Sequence, residues 1–195
     1  MIVAFDFDGT ITTKDTFIAF IKFAKGNRFF YQKLYIIIYY WFLSKLSIIT
    51  TNNAKQRVFK HLFEGNTLTE FNKWCELFKE KIDTLVREGV LEKIKAYKKL
   101  NYKVIIVSAS IENWIQPWAI NNSIDMVIAT KIGVTPENKL SGQFATLNCK
   151  GIEKVNRLKE KFPNIRGHNL IVYGDSSGDK ELINLAGKEY YKYFG

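Results

Sequence analysis

An apolar run at the start of the chain leads directly into two aspartates, and this segment constrains the fold more than any other. Residues 2–5 (IVAF) are apolar, and Asp6, Asp8 and Gly9 follow almost at once. A short apolar run that ends at acidic residues and a glycine predicts a buried parallel strand entering a loop. Ligands bind at the carboxyl ends of strands in open α/β sheets, so we expect Asp6 and Asp8 at a functional site. The alternative is that both aspartates simply cap a turn.

Length and composition narrow the class of protein. The 195 residues allow one compact core with a modest insertion, and the 47% hydrophobic content excludes a disordered chain. Cys75 and Cys149 are too few for a disulfide framework, and no secretory signal precedes the first strand, so we expect a reducing, cytoplasmic location. The net charge of +10 suits a nucleic acid, an anionic lipid, a phosphorylated substrate or simply a lysine-rich surface. We predict no nucleic-acid partner, because no nucleic-acid-binding motif is present. The oligomeric state is left open.

Residues 14–86 carry helical periodicity and almost no strand signals. They predict four helices, at about residues 16–25, 28–45, 53–63 and 67–87. On either side of this segment the pattern is that of alternating strands and helices, which predicts an α/β fold with a doubly wound parallel sheet. We therefore assign residues 1–13 and 87–195 to an α/β core and residues 14–86 to a small helical cap inserted after the first strand.

The ten residues 34–43 (LYIIIYYWFL) are all apolar or aromatic. Spanning a bilayer takes about 20 such residues, so we favour a buried helix of the cap. A helix lying on a membrane surface is the main alternative, because the run is apolar all round and belongs to a basic protein. A true membrane span is the least favoured interpretation.

Residues 6–10 (DFDGT) resemble the signature of the haloacid dehalogenase superfamily of phosphohydrolases, and three later segments resemble its other motifs in the same order. The predicted second strand ends at Ser108, Lys150 lies in the segment NCKG, and residues 174–179 read GDSSGD. This resemblance implies a Rossmann-like sheet with strand order 3-2-1-4-5. The helical insertion resembles the C1 cap of the phosphoserine-phosphatase-like branch.

The resemblance also implies roles for the two aspartates. Asp6 would be a nucleophile that becomes an aspartyl-phosphate, and Asp8 would be the acid/base that serves the leaving group and then the attacking water. The chemistry is reasonable, since a carboxylate can attack phosphorus and divide one difficult step into two easier ones. A neighbouring carboxyl group can carry the proton if its pKa is raised.

Phosphate-binding roles follow from the second and third motifs. The Ser108 hydroxyl and the Ala109 N–H would hold a phosphoryl oxygen, although Ser108 or Ser110 also suits an ordinary helix N-cap. Lys150 would neutralise charge on the phosphoryl group. Lys154, one turn further on, is a competing candidate for this role. The alternative for Lys150 is that it is an ordinary surface lysine. We favour Lys150 as the phosphate-binding residue.

The last motif and the first together imply a Mg²⁺ site. By resemblance, the ligands would be the Asp6 carboxylate, the Asp8 backbone carbonyl and the Asp175 carboxylate, with Asp179 acting directly or through water. Several hard oxygen ligands suit this ion. Gly178 stands where many phosphoserine phosphatases have asparagine, which argues against that exact activity.

By the same resemblance, Asp15 and Arg57 would recognise the substrate, with helix capping and a solvated surface as their respective alternatives. The leading hypothesis is a Mg²⁺-dependent phosphomonoesterase for a small metabolite of the phosphoserine, phosphoamino-alcohol or phosphosugar type. A membrane-surface phosphatase for a lipid head group, of the phosphatidylglycerophosphate type, is the second. A phosphomutase and a non-enzymatic phosphoacceptor signalling module complete the alternatives.

Overall fold

A computed structural model describes residues 1–194, so that Gly195, the last residue of the predicted core, lies outside the described part. Five parallel strands form the main sheet, in the order β3-β2-β1-β6-β7, and β4 and β5 form a separate antiparallel pair. This is the predicted order 3-2-1-4-5 of the parallel strands, and it confirms the fold class. In chain order the strands are β1 (Ile2–Phe5), β2 (Lys103–Ile111), β3 (Met126–Thr130), β4 (Ile132–Val134), β5 (Leu140–Phe144), β6 (Leu170–Gly174) and β7 (Lys188–Tyr191).

The central strand β1 brings the functional loops together. Phe5, its last residue, is paired with Ile106 of β2 on one side and with Tyr173 of β6 on the other. The residues that follow these three positions therefore emerge at one edge of the sheet. The strand has no polar side chain and is buried from Val3 onward, as a strand covered by helices on both faces should be.

Eight helices complete the described part of the chain. Four of them, α1–α4, lie between β1 and the rest of the core, where a helical cap was predicted; the exact cap limits 14–86 remain a prediction. Asp15, Thr50 and Thr67 cap α1, α3 and α4 by accepting backbone N–H groups. The helices are α1 (Thr16–Lys25), α2 (Asn27–Lys45), α3 (Thr51–Phe63), α4 (Leu68–Asp83), α5 (Val90–Lys99), α6 (Glu112–Asn121), α7 (Ile152–Lys161) and α8 (Lys180–Leu185).

The inserted helices share a hydrophobic core with the sheet. Phe20 of α1 stacks on Trp114 of α6 with ring centroids 4.7 Å apart, and Phe7 meets Trp118 edge-on at 5.5 Å. Both tryptophans are fully buried. Because α6 contacts the cap on one side and the sheet on the other, the cap is packed on the core through aromatic side chains rather than tethered by linkers.

The apolar run of α2 differs from expectation. Only Phe30 and Ile36 of this helix are buried, whereas six of its large apolar or aromatic side chains are more than half exposed. The interpretation as a buried helix is therefore wrong for its outer face, because no other element of the described chain covers that face. No helix within residues 1–194 combines the length and hydropathy that a membrane span needs. The cytoplasmic location remains a prediction.

Candidate active site

The loops at the carboxyl ends of β1, β2 and β6 enclose a cavity of about 190 Å³. Seven of the predicted site residues line it, together with several residues that were not predicted. The lining consists of Asp6, Asp8, Asp15, Thr51, Lys55, Ser108, Ala109, Asn148, Lys150, Lys154, Ser176, Gly178 and Asp179. The sheet edge thus brings together residues that are more than 170 positions apart in the sequence.

Asp6 and Lys154 form a buried ion pair at the bottom of this cavity. The Lys154 Nζ donates to Asp6 Oδ1 at 2.6 Å and to Asp179 Oδ1 at 2.5 Å. Burial raises the pKa of Asp6 to about 7, even though the Lys154 ammonium opposes that shift. For Lys154, burial lowers the pKa, but the two carboxylates outweigh it and the pKa is raised. An ammonium with two carboxylates is well compensated and therefore stays charged.

The lysine that contacts Asp6 is Lys154, and not the predicted Lys150. Lys150 precedes α7, is exposed, and lies at the rim, where its side chain crosses close to Gly178. Lys154 is in the first turn of α7 and is 2% exposed, on the face that also buries Val155 and Leu158. Helical periodicity was the available signal, because residues 154, 155 and 158 share one face. Ile152, which precedes Val155 by three residues, is 59% exposed and lies outside this buried face.

Three carboxylates are arranged so that they could hold a cation. One oxygen from each of Asp6, Asp175 and Asp179 lies within 4.8 Å of the others. Carboxylate oxygens are the ligands that Mg²⁺ prefers, so the donor set fits the predicted ion. Gly9 permits the close approach of Asp175, since a Cβ at residue 9 would lie 2.2 Å from Asp175 Oδ2. The Asp8 backbone carbonyl stays a predicted ligand.

Asp179 organises the loop after β6. Its Oδ2 accepts hydrogen bonds from the Asp175 N–H at 3.2 Å, the Ser176 N–H at 3.0 Å and the Ser176 hydroxyl at 2.9 Å. Burial raises the pKa of Asp179, but Lys154 and these donors outweigh it and hold the pKa below its usual value. Burial and the nearby Asp179 raise the pKa of Asp175. Asp179 is therefore an ionised anchor that positions Asp175.

Asp8 is held apart from the carboxylate cluster. Its Oδ1 accepts from the Thr16 N–H at 2.8 Å and the Thr16 hydroxyl at 2.6 Å, and its Oδ2 accepts from the Ser110 hydroxyl. Burial, and then the charge of Asp15, raise the pKa of Asp8. A buried carboxyl group whose pKa is raised is suited to carry a proton. Ser110 thus contacts Asp8, a role that the sequence did not suggest.

Ser108 lies at the end of the regular part of β2 and is 1% exposed. Its hydroxyl accepts the Ser110 N–H at 3.1 Å, so it also caps the local turn, and both Ser108 and Ala109 line the cavity. The Lys55 Nζ of α3 donates to the Ala109 carbonyl at 3.1 Å. The structure therefore places a cationic group from the cap directly against the predicted phosphate-binding strand end.

Of the two predicted substrate-binding residues, Asp15 lines the cavity and Arg57 does not. Asp15 lines the cavity and also caps α1, accepting from the Phe17 N–H at 2.8 Å, so both interpretations of it hold geometrically. It also lines a second cavity of about 620 Å³ against α1, which contains none of the other predicted site residues. Arg57 is exposed and lies over the ring of Tyr40, away from the cavity. Lys55, two residues earlier in α3, takes the position expected for Arg57.

Arg87 is a positioning residue that the sequence analysis missed. Its Nε donates to the Gly9 carbonyl at 2.9 Å, and its Nη1 donates to the Phe194 carbonyl at 3.2 Å. Arg87 lies where the chain leaves the cap and re-enters the core, so it ties the loop after β1 to the C-terminal segment. No motif surrounds it, and only the fold brings it to Gly9.

Comparisons with known proteins agree with this fold and identify the family. The chain matches the model of the haloacid dehalogenase-like hydrolases over residues 3–183. Protein CicA of Caulobacter vibrioides is 30% identical over 199 residues, covering 100% of this chain and 86% of the relative. A substrate-bound phosphoserine phosphatase complex has a TM-score of 0.70 at 18% identity, covering 97% of this chain and 84% of that one. A Bordetella pertussis Tohama I protein of unknown function has a TM-score of 0.80 at 15% identity, covering 96% and 87%.

Proposed function

This chain belongs to the haloacid dehalogenase-like hydrolases, and from that premise we propose that it is a Mg²⁺-dependent phosphatase acting on a small phosphate monoester. Asp6 would be the nucleophile and would carry the phosphoryl group as an aspartyl-phosphate. The observation that carries this proposal is the convergence of Asp6, Asp175, Asp179 and Lys154 at the carboxyl edge of the sheet, where all but the half-buried Asp175 are buried. The family assignment gives no support to the alternative of a non-enzymatic phosphoacceptor module.

The reaction would proceed in two displacements. An Asp6 oxygen forms a bond to phosphorus while the ester P–O bond breaks, and the Asp8 carboxyl group gives its proton to the departing oxygen. Asp8, now ionised, then takes a proton from a water that attacks the phosphorus of the intermediate. Breaking the acyl phosphate P–O bond restores Asp6 and releases inorganic phosphate. The raised pKa of Asp8 supports its role as the proton donor in the first step.

The charges around Asp6 determine whether its carboxylate can approach an anionic substrate. Lys154 neutralises part of the charge of the carboxylate cluster, and a bound Mg²⁺ would supply further positive charge to the phosphoryl oxygens. The Ser108 hydroxyl and the Ala109 N–H would hold a non-transferring phosphoryl oxygen. Lys150, at the rim, remains available as an outer contact to the substrate.

The substrate class follows from the size and the rim of the cavity. A volume of about 190 Å³ is small for a ligand site. Lys55 and Asp15 present one cation and one anion at its wall. A phosphorylated metabolite that carries further polar groups, such as a phosphoamino-alcohol or a phosphosugar, would use both. A phosphate on a lipid head group is a second candidate, because the exposed α2 helix ends beside the cavity wall, where the Ser44 and Thr51 hydroxyls lie 3.2 Å apart.

An assay on a panel of phosphate esters tests the proposed function. The panel should include p-nitrophenyl phosphate, phosphoserine, phosphoethanolamine, sugar phosphates and phosphatidylglycerophosphate. With Mg²⁺, at least one ester should be hydrolysed with multiple turnovers; EDTA should reduce the rate to background, and excess Mg²⁺ should restore it. Release of no more than one phosphate per protein molecule, or a rate insensitive to EDTA, would contradict the proposal.

Lys55→Met and Arg57→Met form a matched pair that tests the wall of the cavity. Lys55→Met should raise KM for the preferred anionic substrate by about tenfold, with a smaller change in kcat, because a charge-assisted contact at the cavity wall is lost. Arg57→Met should leave both constants within about twofold, because an exposed side chain away from the cavity contributes little. A larger effect of Arg57→Met would favour the prediction made from the sequence.

A further inference from the structure

The outer face of α2 is an aromatic surface that nothing in the described chain covers. Successive positions at helical spacing place its members on one side of the helix. Scattered exposed apolar residues are normal, but a contiguous patch of them marks an interaction site. We define the α2 stripe as Leu46, the C-cap residue, together with six residues of the helix, each more than half exposed: Tyr31, Tyr35, Ile38, Tyr39, Trp41 and Phe42.

Positive charge accompanies the stripe. Arg28 and Lys45 are exposed and lie on the same side of α2, one near each end of the stripe. The Lys45 Nζ lies 5.3 Å from the centroid of the Trp41 ring. Between residues 16 and 63 the sequence contains eight lysines and arginines and no aspartate or glutamate. The stripe is thus embedded in a part of the cap that carries only cations.

We propose that the α2 stripe docks on the surface of an anionic phospholipid bilayer. Tyrosine and tryptophan combine an apolar ring with a polar group, which suits the boundary between head groups and acyl chains. Aliphatic and phenylalanine side chains of the stripe would enter that boundary, while Arg28 and Lys45 would contact lipid phosphates. The helix would lie flat on the surface, since its inner face is packed on the rest of the cap.

Charge disfavours a second copy of this chain as the occupant. A twofold symmetric contact would place the stripe against itself and would bring Arg28 and Lys45 of both copies into the same interface. No acidic residue in this part of the cap would compensate for them. An anionic surface is complementary to the same charges.

Docking would also orient the candidate active site. The C-terminal end of α2 leads through residues 46–50 to Thr51, which lines the cavity, and Ser44 and Thr51 lie within hydrogen-bond distance. Ile48 in this connection is 63% exposed and extends the apolar surface toward the cavity. The cavity entrance would therefore lie near the bilayer. The docking itself does not depend on the proposed function, because it is measured without substrate.

Co-sedimentation with vesicles tests the proposal. The full chain should sediment with phosphatidylcholine vesicles containing phosphatidylglycerol, and about tenfold less with pure phosphatidylcholine vesicles, with high salt weakening the binding. The triple variant Tyr35→Ser, Ile38→Ser, Phe42→Ser should lose the binding. Its matched control is Leu100→Ser, Ile120→Ser, Tyr191→Ser, which removes three similarly exposed apolar side chains from the surface of the α/β core, away from the cap. The control should bind as the wild type does.

A second pair of variants isolates the charges. Arg28→Gln with Lys45→Gln should weaken binding several-fold, whereas Lys95→Gln with Lys99→Gln, on α5, should not. Thermal melting verifies that every variant folds. No preference for anionic vesicles, or equal losses in the stripe and control variants, would overturn the proposal. If light scattering shows a dimer that the stripe variant abolishes, the occupant of the stripe is a second copy of the chain. If the chain is a monomer that does not bind vesicles, the occupant is another protein. Either result overturns lipid docking.

Discussion

Asp6→Asn is expected to reduce kcat by about a thousandfold or more, because an amide oxygen cannot form the phosphoenzyme that the proposed mechanism requires. The fold should be retained. The amide oxygen still accepts from Lys154, and the substitution leaves the side-chain volume almost unchanged. Steady-state hydrolysis of the preferred ester, together with trapping of phosphorylated protein in the wild type and its absence in the variant, provides the measurement.

Asp125→Asn is the matched control for this substitution. Asp125 forms a surface ion pair with Lys98 and lies outside the cavity. The same chemical change there should alter kcat by less than about twofold. Wild-type turnover by Asp6→Asn would show that the nucleophile is another group, and an equal loss in both variants would point to a general effect on folding.

Lys154→Met is expected to impair both activity and stability. Removing the ammonium leaves Asp6 and Asp179 buried without their common cation, which should cost about 3–5 kcal/mol of unfolding free energy. It should also lower kcat/KM by about a hundredfold or more, because the charge on the phosphoryl group and the nucleophile is no longer balanced. Urea unfolding in EDTA measures the first effect. Added Mg²⁺ should restore part of the stability by neutralising the same carboxylates.

The free energy of unfolding that Lys154→Met removes should depend on pH. Burial raises the pKa of Asp6 to about 7 with Lys154 present, and without the ammonium this pKa should rise further. Its unfolded-state pKa is about 4, so the folded variant binds more protons than the unfolded chain. Stability of the variant should therefore increase as the pH falls from about 8 to 5. If the difference in unfolding free energy between the wild type and Lys154→Met instead grew as the pH fell, this assignment of charge would be contradicted.

Lys150→Met is the matched control for Lys154→Met and also decides between the two lysines. Lys150 is exposed at the rim, so its removal should change the unfolding free energy by less than about 0.5 kcal/mol. A rim contact to the substrate would appear as a modest increase in KM. If Lys150→Met abolished turnover while Lys154→Met retained it, the prediction from the sequence would be correct, and the buried ion pair would have only a structural role.

The sequence was most informative where the functional residues directly follow a strand in the chain. A buried strand that ends in two aspartates identifies its own carboxyl end, and this is where Asp6 and Asp8 lie. The same argument applies to Asp175 and Asp179 after β6. Parallel strands bring their carboxyl ends to one edge, so the alternation of strands and helices predicted a common edge for these residues. That their strands are neighbours was implied by the resemblance to a known family.

Side chains on helices were predicted less well. Lys150 and Lys154 lie four residues apart, and Lys154 is buried whereas Lys150 is exposed. Lys55 and Arg57 lie two residues apart, on opposite sides of α3, and Lys55 lines the cavity whereas Arg57 is exposed. Which member faces the site depends on the rotation of the helix about its axis, and that rotation is set by packing against distant elements. Amphipathic periodicity narrows the choice without identifying which face meets the cavity.

By itself, the sequence determined the α/β class, the helical insertion and the four aspartates at strand ends, because each depends on periodicity or on residues adjacent in the chain. The order of the parallel strands was implied only by the resemblance to a known family. Only the tertiary structure decided that Lys154 pairs with Asp6, that Lys55 reaches Ala109, and that α2 leaves its aromatic face uncovered. The physical reason is that the burial of a side chain depends on which other elements of the fold pack against it. An apolar or charged side chain has the same local pattern whether or not another element packs against it.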